Sequence, residues 1–259
     1  MIVHSDRWRP GDFEHWEAML EVDRANAKTD GYKRRISAAR ALIKDFCARH
    51  APDEYYIGFS YGKDSLTVSH MFREIEPHTQ IVSVQNVDWR NPDIPAVHEA
   101  LSDIGFLTHD FECILYDYAH ADESFFDSKG RPVKWRRELE RLNREKGIHI
   151  TGIRSEESRK RKKRCQAFGA ETKNSFAPLA NLRAVDVFSY LYEHDLPIHP
   201  AYAMTDGGKW DKYRIRVSGI GHDEGDGMGR REWERMYYGD FLRRSNAKRF
   251  ENGVELFKC

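Results

Sequence analysis

Apolar positions recur at helical spacing from Tyr32 to His50. Ile36, Ala39, Leu42, Ile43 and Phe46 share one face, and Ala51-Pro52 ends the run. Ahead of it, residues 11–28 predict a shorter, acid-rich helix bearing Trp16, broken between Lys28 and Gly31. From Glu54 the pattern tightens into short apolar strands and intervening helices. Glu54–Phe59 reads as a strand, Leu66–Ile75 as a helix closed by Pro77, and Thr79–Val84 as a second strand running into the polar turn Gln85–Asp93. A helix over Ile94–Ile104 and a strand over Phe106–Phe111 follow. Then come a charged helix over Arg131–Lys146, a strand over Gly147–Ile153 and a helix over 184–194. Beyond these lie a β-like run from Tyr213 to Val217 and a helical stretch near 231–245.

Strands separated by single helices predict right-handed βαβ units. The fold class is therefore α/β, with a doubly wound, mostly parallel sheet flanked by helices. Residues 51–205 hold the alternation, residues 1–50 form a helical N-terminal extension, and residues 206–259 form a Gly-rich loop and a C-terminal helical extension. A sheet of this kind binds its ligand at the carboxyl ends of its strands, just after residues 59, 84 and 153.

Composition narrows the function. The chain has 259 residues, with Lys+Arg and Asp+Glu both 42, so its formal charge is zero. That excludes a polycation coating nucleic acid indiscriminately, while leaving room for a local basic patch. Hydrophobic residues at 40% and charged residues at 32% indicate a globular chain, neither disordered nor fibrous. No apolar run approaches the roughly 20 residues that span a bilayer, so no membrane is expected. No basic segment and apolar stretch mark a secretory signal either. Cys47, Cys113, Cys165 and Cys259 lie 66, 52 and 94 positions apart. With no C-x-x-C pair, neither zinc nor a locally ligated iron–sulfur cluster is expected. Reduced thiols in a cytoplasmic protein are the simplest reading.

The strongest chemical signal is Ser60-Tyr61-Gly62-Lys63-Asp64-Ser65, set between a predicted strand and helix. Such a loop offers backbone N–H groups and a helix dipole to an anion. Gly62 permits close approach, Ser60 and Ser65 carry hydroxyl donors, Lys63 brings a point charge, and Asp64 could hold Mg²⁺ or one of its waters. The segment is too short for G-x-x-x-x-G-K-[ST]. The plainer reading is a helix N-cap. Three further segments bear on the choice: Gly152-Ile153-Arg154-Ser155-Glu156-Glu157-Ser158 with Arg161; Pro178-Leu179 with Asp186-Val187 and Tyr190; and Leu196-Pro197-Ile198-His199-Pro200-Ala201-Tyr202.

Together these motifs resemble the PAPS reductase family of the PP-loop, adenine nucleotide α-hydrolase-like superfamily. The first resembles its SGGKDS loop with Tyr61 in place of one Gly. The others resemble its G-x-R-x-x-E-S-x-x-R, P-L…D-V-x-x-Y and L-P-x-H-P-x-Y stretches, over about residues 50–205. The resemblance implies a site for ATP with Mg²⁺, or for an adenylyl sulfate. The loop would hold terminal phosphates or a sulfate, and Asn86 to Trp89, including Asp88, would lie near the adenosine. Gly152 and Arg154 would face the α-phosphate, with Ser158 and Arg161 in the same nucleotide-binding segment. Lys63, Asp64 and Arg154 are then the candidate catalytic residues, and a homodimer is plausible.

Two chemistries fit: attack on the α-phosphorus with release of pyrophosphate, or a thiol-dependent reductase. Reductases of the family carry a mobile E-C-G-x-H tail, which this chain lacks; its lone candidate nucleophile is Cys259. Lys258 would lower that thiol's pKa and the terminal carboxylate would raise it. Retention of Lys63 and Asp64 favours ATP and α-phosphate chemistry. A nucleotide- or nucleic-acid-binding module without turnover is the third reading.

The segment 154–164 carries seven cations and two acids. It is either an anion funnel or nucleic-acid contact that serves an acceptor, or an ordinary solvated helix face. Ser218–Arg230 holds Gly residues at a spacing wrong for a dinucleotide fingerprint, which leaves a surface loop or a flap. His199 is accounted for as a turn residue of the resembling L-P-x-H-P-x-Y segment, and His194, His222 and Asp223 lack ligand spacing, so no dedicated transition metal is expected.

Overall fold

Two helices precede the first strand in the computed structural model, which describes residues 1–86, 91–116, 134–217, 219–221 and 229–251. They are α1 (Asp12–Ala27) and α2 (Asp30–Arg49), the second capped by Thr29, whose Oγ1 accepts the Tyr32 amide at 3.2 Å. The alternation then runs β1 (Tyr55–Gly58), α3 (Lys63–Arg73), β2 (Ile81–Asn86), α4 (Ile94–Asp103), β3 (Phe111–Tyr116), α5 (Lys134–Lys146) and β4 (Ile148–Ile150). After it come α6 (Arg159–Phe168), β5 (Glu171–Thr172), β6 (Ser175–Phe176), α7 (Ala184–Glu193) and α8 (Arg230–Glu251).

The strands form one sheet in the order β3-β2-β1-β4-β6-β5, parallel throughout except for the β5–β6 hairpin. Alternate side chains separate its two faces. Tyr55, Ile57 and Ile81 join Val68, Met71 and Phe72 of α3 and Val97 and Leu101 of α4 in the main core. Tyr56 and Val82 point the other way and pack against Leu142 of α5. Each fully buried side chain of this size contributes roughly 1.5–3 kcal/mol. Helices thus cover both faces, as the doubly wound expectation requires. The strand order reverses between β1 and β4, which places the ligand crevice between their carboxyl ends. Among the described residues no helix is long and apolar enough to cross a membrane.

Several boundaries differ from the sequence reading. The third strand begins at Phe111, in register with Ile81, where Phe106–Phe111 had been the expected span. Gly105, at φ 69°, turns the chain out of α4, and the Phe106 amide closes back on the Leu101 carbonyl at 2.9 Å. Phe106 is therefore a buried plug below α4. The fourth strand keeps only Ile148–Ile150 of the expected Gly147–Ile153. Tyr213–Val217 is not a strand, because Lys212 and Tyr213 both turn inward to Asp23. Helix α3 starts at Lys63, three residues before the expected Leu66.

The flanking helices are pinned to the sheet domain by buried carboxylates. Asp186, at the start of α7, accepts two hydrogen bonds of 2.7 Å from Arg35 of α2 and one of 3.0 Å from Asn26 of α1. Burial alone would raise its carboxyl, but the Arg35 and Arg183 donors outweigh that and hold it well below the usual carboxylate range. Asp12 accepts the amides of Thr205 and Asp206 and the hydroxyl of Tyr237. Asp23 and Lys212 form a buried pair at 2.5 Å, with the ammonium 4.6 Å from the Trp16 ring and 4.7 Å from the Phe188 ring.

Candidate functional site

The loop after β1 is built from its own hydroxyls. Ser65 Oγ donates to the Gly62 carbonyl at 2.9 Å and accepts the Ser60 amide at 3.2 Å. The Ser60 hydroxyl lies 3.2 Å from the same oxygen. Tyr61 stands at φ 58°, a left-handed conformation that costs a non-glycine residue about 1 kcal/mol. Its ring is buried against Phe59, and its hydroxyl lies 3.0 Å from His98 Nδ1. The side chain that replaces the glycine of the resembled loop thus anchors the loop to α4. Gly62 precedes α3 without a capping side chain. A Cβ there would sit 3.3 Å from the Tyr202 hydroxyl and from Val217 Cγ2.

The first turn of α3 then brings the charges together. Lys63 is 5% exposed, its ammonium 2.9 Å from Asp64 Oδ2 and 5.3 Å from the centre of the Tyr202 ring. Arg154, from the loop after β4, is 2% exposed and donates through Nε to Asp64 Oδ1 at 2.6 Å. Its Nη1 pairs with Glu156, which also accepts the amide of Ala184 at the start of α7. Burial opposes all of these charges, yet their mutual attraction prevails. Asp64 is held below the ordinary carboxylate range by Lys63 and Arg154, and both cations are pushed up. Gly152 has to be glycine, since a Cβ would lie 2.6 Å from the main-chain carbonyl of Asp64. Beside it, Thr151 Oγ1 is buried with no partner among the described residues.

Ser60, Tyr61, Gly62, Lys63, Asp64, Ser65, Gly152 and Arg154 therefore converge at the switch point. Ser158 and Arg161 reach that network only indirectly, through Glu157. Ser158 caps α6 by accepting the Arg161 amide at 3.1 Å, and the Arg161 guanidinium pairs with Glu157. Glu157 also accepts the Arg154 amide at 2.9 Å, so this acid shapes the turn that presents Arg154. Asn86 closes β2 opposite Tyr116. Asp88, Cys259, His222, Asp223 and the centre of the Gly-rich loop lie outside the described residues.

Two participants were not among the site residues expected from sequence. Tyr202 accepts the Lys63 amide at 3.0 Å, so the L-P-x-H-P-x-Y stretch ends on the phosphate loop. That motif was the signal available for it. Glu156 is the second; it lies in the G-x-R stretch, but nothing in its spacing marked it as the partner of Arg154.

The histidines fall elsewhere. His199 Nδ1 accepts the Ala201 amide at 3.1 Å, and burial pushes its pKa down to about 3. His194 packs on His70, and His70, Glu74 and His194 bring ligand atoms within 4.8 Å of one another. Tyr190 already lies 2.8 Å from His70 Nδ1 and donates to Glu74 at 3.0 Å, while Arg40 holds Glu74 at 2.7 Å. A guanidinium on the carboxylate opposes a second cation there.

The structure is similar to an FMN adenylyltransferase of Candida glabrata at 15% identity and TM-score 0.44, covering 78% of this chain and 68% of that one. It is similar to an NMN synthetase of Francisella tularensis at 12% identity and TM-score 0.43, covering 88% and 98%. A U34-tRNA thiolase of Methanococcus maripaludis, with its 4Fe–4S cluster, gives 12% identity and TM-score 0.47, covering 86% and 82%. No curated protein sequence matches the chain. Residues 54–205, more than half of the chain and including every converging residue above, match the phosphoadenosine phosphosulfate reductase domain, and the protein belongs to that family.

Proposed function

We propose that the protein binds ATP as its magnesium complex and transfers the adenylyl group to an acceptor, releasing pyrophosphate. The Lys63–Asp64–Arg154 array beside the first turn of α3 carries this reading. Lys63 and Arg154 are balanced by Asp64 and Glu156, so the cradle is electrically neutral before nucleotide arrives. A triphosphate needs a further cation. Asp64 fits that need, because each carboxylate oxygen gives one lone pair to Lys63 or Arg154 and keeps another for Mg²⁺ or its water. The ion, when bound, neutralises phosphate charge.

The chain's own residues supply the rest. Lys63 orients the β- and γ-phosphates from the helix start. Arg154 exchanges a carboxylate oxygen for oxygens of the α-phosphate, where negative charge builds. The acceptor oxygen bonds to the α-phosphorus, the bond from phosphorus to the bridging oxygen breaks, and pyrophosphate leaves with that electron pair. The acceptor's proton passes to solvent. Positioning and charge neutralisation are what such a transfer asks of a protein.

Calorimetry with MgATP and with adenylyl sulfates, joined to a pyrophosphate assay, tests this. Saturable MgATP binding is expected, with at least a tenfold loss in Lys63→Ala and pyrophosphate release when acceptor is supplied. Uptake of adenylyl sulfate alone, with thiol-dependent sulfite release that Cys259→Ser abolishes, would replace this reading with a reductase.

A further inference from the structure

Helix α6 gathers positive charge that adenylyl transfer leaves unused. Its ten residues carry six cations and no acid, in a chain of zero formal charge. Arg161 is paired with Glu157, and Arg164 donates to Ser175 Oγ at 2.6 Å. Arg159, Lys160, Lys162 and Lys163 are exposed and pair with no carboxylate among the described residues. At 3.6 residues per turn these four fall within about half a turn of one another. Lys173, on the neighbouring β5–β6 hairpin, is exposed as well. Phe168, the last residue of the helix, is 66% exposed, but at the same spacing it falls on the opposite side of the helix from these four.

An ordinary solvated face mixes both signs and so limits its own repulsion. This one does not. A polyanion with regularly spaced charges relieves the crowding and releases counter-ions as it binds. Lysines act as point charges that tolerate variable phosphate orientation. We infer that α6 is a docking surface for nucleic acid, with backbone phosphates along Arg159, Lys160, Lys162 and Lys163. The helix begins directly after the turn that presents Arg154, so a strand lying on it leads toward the phosphate loop. The inference builds on adenylyl transfer by naming the class of molecule that brings the acceptor; the binding itself does not require ATP.

Fluorescence anisotropy with labelled, unstructured single strands of RNA and of DNA tests it on the full chain, at about 50 and about 200 mM salt. For three to four phosphates, the log–log salt slope is expected near −2 to −3, at about −0.7 per phosphate. The K160Q/K162Q/K163Q variant should lose at least tenfold in affinity and flatten the slope. Absence of saturable binding to either strand would overturn the inference. So would equal binding by the triple variant, or equally tight binding of polyglutamate of the same charge. MgATP titrations on the same proteins separate the two proposals. MgATP uptake without strand binding sinks this one alone, whereas strand binding without MgATP uptake sinks only adenylyl transfer.

Discussion

Lys63 and Arg154 grip opposite oxygens of one carboxylate, Nζ at 2.9 Å from Asp64 Oδ2 and Nε at 2.6 Å from Asp64 Oδ1. Asp64 therefore keeps two buried cations in place and also competes with any phosphate for them. These two roles separate on substitution.

Asp64→Asn keeps the shape and removes the charge. Weaker pairing of Lys63 and Arg154 should lower stability by about 1–3 kcal/mol in urea unfolding. Calorimetry should show metal-free ATP bound more tightly than by the wild type, and the gain from adding Mg²⁺ reduced. Unchanged affinity with and without the metal would mean that Asp64 neither competes with phosphate nor serves the ion.

Acid sensitivity follows from the depressed carboxyls of Asp64 and Asp186. A carboxyl lowered in the folded state contributes stability that is complete above its unfolded value, about 3.9, and is lost as pH falls through the lower folded value. Urea midpoints should thus gain nothing from these two groups between about pH 5 and 7 and fall below about pH 4. Asp186→Asn should cost about 3 kcal/mol or more at neutral pH and flatten the acid limb. A variant with the wild-type acid limb would refute the assignment.

The Asp23–Lys212 pair sits among aromatic rings with little water to share its charge. Lys212→Met alone strands a buried anion and should cost about 3–5 kcal/mol. Adding Asp23→Leu should restore most of that loss. Additive losses in thermal unfolding would show that the pair is worth more than the packing that replaces it.

Gly152→Ala tests the close approach of the β4 loop to α3. The new methyl would meet the Asp64 carbonyl at 2.6 Å, so the first turn of α3 has to shift. A stability loss of about 1–3 kcal/mol and at least a tenfold loss of MgATP affinity are expected. Full affinity would indicate that the Lys63–Asp64 geometry tolerates displacement.

The β1–α3–β2 unit was legible because Tyr55–Ile57 and Ile81–Val82 are dense in strand formers and the loop between them is polar and short. Helix α6 was legible only as one of two readings of a charge run, since six cations show no apolar period, and β5 and β6, at two residues each, are shorter than any pattern. The loop residues of the site were readable as a local motif. The Lys63–Tyr202 contact spans 139 positions, and only the presence of a second motif hinted at it. Tyr61 was legible as a departure from the family's glycine but not as the loop's anchor to His98, which depends on where α4 packs.

Asp186 has a practical consequence for anyone dissecting the protein. A fragment trimmed to start at residue 51 would keep the family's most recognisable stretch yet strip Asn26 and Arg35 from a fully buried anion. Only Arg183 of its charged partners would remain, itself half exposed to water. Such a trimmed piece should precipitate or expand on expression, because α1 and α2 supply partners to a carboxylate buried in the sheet domain.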